Sequence, residues 1–139
     1  MIFSKLKNCL LVVGLLNPLI LTAETQNPRI IQFSGLEKSI SIIINKNDEP
    51  IHQDYFLAAY EPLKLNNDLM PFLVQKTNHF YSYIDSKGNW LSEDNFLDAF
   101  NFSKDKLAII KTKKGYGAIN LQGKLQIKDQ FQDLFKFNN

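Results

Sequence analysis

The sequence predicts an all-β fold: tandem repeats of three-stranded antiparallel meanders with short aromatic connectors, behind a cleaved N-terminal signal peptide. Three observations carry this. Residues 81–102 recur downstream at a constant shift of 35. Tyr83-Ile84-Asp85 meets Ala118-Ile119-Asn120, Gly88 meets Gly123, and Asp94-Asn95-Phe96 meets Asp129-Gln130-Phe131; Asp98, Phe100 and Phe102 meet Asp133, Phe135 and Phe137. A fixed period of this size marks a repeat architecture. The apolar runs are short, rich in β-branched and aromatic residues, and punctuated by Asn, Asp and Gly, as strands and turns are. The chain also spends 11 phenylalanines, many of them in register between copies.

In chain order, residues 1–23 read as a signal peptide: Lys5 and Lys7 precede an almost wholly apolar run over residues 9–21, and Thr22-Ala23 offers a cleavage site before Glu24. The run is shorter than the roughly 20 residues that span a bilayer, and Pro18 would break a helix there. The expected mature domain is residues 24–139, exported, with no stable membrane span. It loses the single cysteine, Cys9, so neither a disulfide nor thiol chemistry is available to it. It also loses two of 16 basic residues, which leaves 14 against 14 acidic ones and a formal charge of zero. A neutral surface offers no electrostatic case for binding nucleic acid.

Residues 29–33 and 38–45 read as a hairpin with Gly35 in the turn. A degenerate first unit spans about residues 40–79, shifted by 40 from the next: Ile44-Asn45 answers Ile84-Asp85, Asp54-Tyr55-Phe56-Leu57 answers Asp94-Asn95-Phe96-Leu97, and Ala59-Tyr60 answers Ala99-Phe100. The extra residues fall near Asn66-Asn67-Asp68. The second unit is residues 80–115 and a partial third is residues 116–139. Residues 72–76 match residues 107–111 at the same shift of 35, as first strands. Second strands are expected over residues 80–84 and 116–119, and third strands over residues 89–91 and 124–127. Between second and third strands, Asp85 to Gly88 and Asn120 to Gly123 suit a type I turn with Gly in the left-handed position. The following segment is expected to be a turn-like connector, or a single helical turn, that buries Phe56, Phe96 and Phe131 and also Tyr60, Phe100 and Phe135. The third unit ends before its next first strand, and residues 29–33 are a candidate to pair there and close the fold end to start.

This pattern resembles the WG-repeat family, also called the KWG repeat. Tyr83-Ile84-Asp85, Lys87-Gly88-Asn89-Trp90, Phe96-Leu97-Asp98-Ala99, Phe102-Ser103 and Leu107-Ala108 fall in order on that unit, and Gly117-Ala118-Ile119-Asn120, Gly123-Lys124, Phe131 and Asp133 follow it again. The defining Trp-Gly pair is missing, with Tyr116-Gly117 and Tyr81-Ser82 in its place. The resemblance implies a β-rich repeat protein, often exported in bacteria, with no activity or catalytic set common to the family.

The residues themselves point to no reaction. Asp54, Asp94 and Asp129 share one register and Asp98 and Asp133 another, which fits turn and strand-end caps better than a catalytic pair. His52 and His79 have no cysteine companions and read as exposed turn residues rather than zinc ligands. Lys104, Lys106, Lys111, Lys113 and Lys114 read as a solvated face. No catalytic residue, metal or cofactor is expected. The preferred function is a non-enzymatic binding module for an envelope or extracellular protein or glycan. Candidate binding residues are Tyr81, Trp90, Glu93, His79 and Tyr116, of which Trp90, Glu93 and His79 have no like counterpart in the third unit. The alternatives are a polysaccharide-directed hydrolase using Asp94 and Asp98, or an inhibitor of another exported protein.

Overall fold

A computed structural model describes residues 27–35 and 37–133. The expected signal peptide, Phe135 and Phe137 lie outside the described residues. Within them the chain is all-β, with no helix. Eleven strands form four antiparallel sheets. β1 (Arg29–Ser34) and β2 (Ser39–Ile44) form the first. The second has the order β3-β6-β7, from β3 (Ala58–Tyr60), β6 (Phe72–Gln75) and β7 (Tyr81–Ile84). The third has the order β11-β10-β9-β8, from β8 (Asp98–Ala99), β9 (Ala108–Thr112), β10 (Gly115–Ile119) and β11 (Leu125–Phe131). β4 (Lys64–Leu65) and β5 (Asp68–Leu69) make the fourth.

The extra residues near Asn66 are this last, small hairpin. Asn66 and Asn67 both take positive φ, 47° and 70°. Two successive left-handed residues suit a two-residue hairpin loop, and Asn tolerates them better than most.

The apolar runs are continuous rather than alternating because β2, β6 and β7 serve core on both faces. Ile42 and Ile44 belong to one cluster, with Ile31, Phe33, Ile40 and Tyr55 against them. Ile43 faces the other way and joins Phe56, Phe72, Val74 and Ile84. Leu73 and Tyr83, opposite in parity to Phe72 and Ile84, join Phe96, Phe102, Ala108, Ile110 and Ile119. One core therefore lies between the first and second hairpins, and another between the second and third. Complete burial of side chains such as Phe72, Ile84 and Ile110 contributes about 1.5–3 kcal/mol each.

One pairing scheme occurs three times. Ser41 bridges Phe56, Tyr81 bridges Phe96 and Tyr116 pairs with Phe131. Ile44 bridges Pro50, Ile84 bridges Trp90 and Ile119 pairs with Leu125. The intervening turns share their hydrogen bonds. The side-chain oxygen of Asn45 accepts from the amides of Asn47 and Glu49 at 2.8 and 3.0 Å. Asp85 accepts from Lys87 and Asn89, both at 2.9 Å. Asn120 accepts from Gln122 and Lys124 at 3.0 and 3.1 Å. The fourth turn residue is left-handed each time: Asp48 at 62°, Gly88 at 88° and Gly123 at 73°. A Cβ on Gly88 would fall 1.8 Å from the Ile51 carbonyl oxygen, and one on Gly123 would fall 2.7 Å from that of Leu91. Each glycine turn thus seats on the connector of the preceding hairpin. Asp48 instead carries a carboxylate that pairs with Arg29.

Five expectations are corrected. The third strand over residues 89–91 is absent: only the Ile84–Trp90 bridge forms, with a hydrogen bond from the Leu91 amide to the Tyr83 carbonyl. Its counterpart extends as β11 because it runs along β10 through two register shifts. The connectors contain short strands, not a helical turn, because β3 and β8 pair with the first strand of the next hairpin. Phe56 and Phe96 are buried, but Tyr60 and Phe100 are 39% and 41% exposed, since bends at Leu57 and Leu97 break the alternation that would keep rings four residues apart on one face. Among the described residues β1 pairs with β2 alone, as the hairpin predicts, and not with the third unit.

The last correction concerns register. Phe72 pairs with Ile84, and Ala108, not Leu107, pairs with Ile119. The first strands therefore correspond at a shift of 36, not 35. The turn between β9 and β10 is one residue shorter than that between β6 and β7. A one-residue slip would move Phe72 and Val74 onto the wrong face.

Candidate functional site

The five nominated binding residues do not converge. His79 is exposed at the tip of the β6–β7 turn, with φ 69°. Glu93 is exposed in the connector. Tyr81 is half-buried in β7, and burial first, then the neighbouring Tyr60 and Asp98, push its phenol up. Tyr116 is half-buried in β10 opposite Lys111, whose Nζ lies 4.9 Å from its ring centroid.

Trp90 sits in a different cluster, which sequence reasoning missed. Its ring meets His52 edge-on at 4.8 Å and Phe56 at 6.0 Å, and Lys76 Nζ lies 4.3 Å from its centroid. Lys76 also donates to Asn95 Oδ1 at 2.7 Å. Cation–ring contacts of this kind contribute about 0.5–1 kcal/mol at partly exposed sites. Burial lowers the Lys76 ammonium, with Asp54 opposing.

His52 is not an exposed turn residue, since its side chain is only 12% exposed. Its Nδ1 accepts the Asp54 amide at 3.0 Å. Forty residues on, Ser92 Oγ accepts the Asp94 amide at 3.3 Å. The two residues hold the same local turn, and this shared place in the period was the available signal. Burial lowers the His52 imidazole; Asp54 raises it and Lys76 lowers it. With Nδ1 accepting, the ring is neutral with its proton on Nε2. The cluster joins the first connector, the β6–β7 turn and the Ile84–Trp90 bridge, so its chemistry is that of a packed junction.

The carboxylates are dispersed. Asp94 is exposed, and its carbonyl accepts from Ser82 Oγ at 3.2 Å. Asp98 is half-buried and accepts from the Ala99 amide at 2.9 Å. Asp129 accepts from Thr112 Oγ1 at 2.6 Å, which holds its carboxyl below the usual range. Tyr83 is buried, donates to the Phe100 carbonyl at 2.6 Å, and has its phenol pushed far up by burial. Among the described residues, no group of three His, Cys, Asp or Glu is placed to hold a metal ion.

A cleft of about 710 Å³ lies where the turns gather. Its walls come from Asn45 and Asn47, Asp85 and Ser86, and the β4–β5 hairpin with Asn67 and Asp68. Asn27, Lys46 and Lys106 also line it. Leu69, Met70, Pro71, Leu91 and Leu121 supply an apolar strip. The volume lies within the roughly 300–1,000 Å³ of ordinary ligand pockets. None of the five nominated residues lines it, because each was chosen for its chemistry and the cleft is made by turns distant in sequence. Smaller clefts lie elsewhere among the described residues. One, of about 300 Å³, is lined by Phe80, Asn95, Leu97, Thr112, Lys113, Lys114 and Asp129. Another, of about 330 Å³, includes Phe100, Leu107, Ile109 and Ala118. Neither Asp94 nor Asp98 lines any of the three. In comparisons with protein-family models, curated proteins and solved structures, the chain matches none.

Proposed function

We propose that this chain is an exported, WG-repeat-like protein that acts as a non-enzymatic binding module, with the turn-lined cleft as its binding surface. The observation that carries the reading is that equivalent turns, at Asn45 and Asp85, present their tips to one cleft of about 710 Å³. Stacked repeats characteristically gather equivalent positions into such a surface. The thrice-occurring pairing of Ser41–Phe56, Tyr81–Phe96 and Tyr116–Phe131 supports the repeat. The basic, apolar and small-residue order of residues 1–23 supports export. The partner on this reading is an envelope or extracellular protein or glycan.

Fractionation of cells producing the full chain, with mass spectrometry of the product, tests export; the expected species begins at about Glu24 and lies outside the cytoplasm. Intact Met1 in the cytoplasm would remove the export half. For binding, Asn47→Ala and Ser86→Ala in the cleft are expected to reduce retention of the chain on isolated envelope fractions, while Glu93→Ala leaves it unchanged. Retention insensitive to both cleft changes would remove the binding surface.

A further inference from the structure

We infer that the ligand of this cleft is an extended peptide segment held across the turns; the inference rests on the binding reading above. Three side-chain amides of the lining, those of Asn27, Asn47 and Asn67, make no hydrogen bond among the described residues. A carboxamide offers an N–H donor and a C=O acceptor side by side. That pair is the complement of a backbone peptide group, which carries one of each and must satisfy both. The charges of the described lining cancel, since Lys46 and Lys106 stand against Asp68 and Asp85. The Asp85 carboxylate is already engaged by its turn amides. A balanced lining suits an uncharged main chain rather than a polyanion, whose binding is carried by unopposed cations.

The apolar strip completes the match. Leu69, Met70, Leu91 and Leu121 lie along one cleft with the amides. An extended peptide points alternate side chains to opposite sides, so one set can lie on this strip while the main chain meets the amides. The described lining contains no aromatic ring, the side chain on which a nucleobase stacks and against whose face a sugar packs. The backbone under two of these amides is well held. Asn67 is in a tight turn with φ 70°, and the Asn47 amide N–H is bound by Asn45. Little backbone ordering cost remains there on binding.

The test uses the mature chain panned against a random dodecapeptide phage library. An enriched peptide is then made with a fluorescent label and titrated by anisotropy, alongside a tetrasaccharide of N-acetylglucosamine. Enrichment of peptides with alternating apolar residues is expected. Affinity should fall at least tenfold in the double variant Asn47→Ala with Asn67→Gly; glycine in the second position keeps the left-handed backbone, and circular dichroism checks the fold. Backbone amide resonances of residues 45–47, 67–70 and 85–86 should shift with peptide. No enrichment over blank wells, or equal affinity for the double variant, would overturn the peptide assignment. If the tetrasaccharide moves these resonances and no peptide does, the ligand class is wrong and the cleft reading stands. If neither moves them, both fall.

Discussion

His52 shows how one side chain acquires its properties from three segments. Burial against Trp90 and Phe56 lowers its proton affinity, and Lys76 adds to this, while Asp54 at 3.7 Å opposes. A histidine whose folded pKa lies below its unfolded value favours unfolding once the unfolded chain begins to bind the proton. Stability should therefore be full above about pH 6.5, decline as pH falls through the unfolded value, and level off once the folded ring titrates as well. Urea midpoints measured from pH 8 to pH 5 check this, and His52→Gln should flatten the decline in that window. Other residues carry backbone strain. His79 and Lys106 sit at φ 69° and 59°, where Gly occupies the comparable fourth turn position at residues 88 and 123. The left-handed region costs an L-residue about 1–2 kcal/mol, partly offset by the greater freedom of Gly in the unfolded chain. His79→Gly and Lys106→Gly should each stabilise by about 0.5–1 kcal/mol in urea unfolding.

At the scale of the element, the turns are specified by one side-chain oxygen. Asn45, Asp85 and Asn120 each accept two backbone amides, so what matters is an acceptor at that distance and not its charge. Asp85→Asn should leave stability within about 0.5 kcal/mol, while Asp85→Ala should cost about 1–2 kcal/mol, the loss of two turn bonds. Chemical denaturation of both variants separates the two outcomes. Hairpin register obeys a different control. The strand faces are set by loop length, and the β9–β10 turn is one residue shorter than the β6–β7 turn, so Ala108 takes the place of Phe72 opposite Ile119. Matching residues in a constant frame cannot detect that, because Leu107 and Ala108 are both apolar. Physically the two frames differ completely, since one side chain enters the core and its neighbour leaves it.

Across the described residues, cores lie between successive hairpins, and the larger contacts between strands join neighbours. Stability in such an arrangement approaches a sum of unit and neighbour terms. If the units are repeats, inserting a second copy of residues 81–115 after Gly115 should give a folded protein whose urea midpoint and m-value both rise, since more surface is buried. A midpoint below the parent's would remove the repeat reading. The same geometry makes the 710 Å³ cleft, because the tips of the Asn45 and Asp85 turns are brought beside the β4–β5 hairpin.

The sequence by itself determined the β class, the first hairpin at Gly35, the Asp85 and Asn120 turns, and the burial of Phe56 and Phe96. Each of these follows from local chemistry: a turn acceptor, a left-handed glycine, or a short apolar run. Only the tertiary structure decided which rings leave the core, the register of β9, the His52–Trp90–Lys76 junction and the cleft. Those depend on which faces meet across residues far apart in the chain, and period alone cannot say that Phe100 turns outward while Phe102 is buried. The candidate site was least legible for the same reason: its lining consists of ordinary turn residues whose only distinction is that packing brings them together.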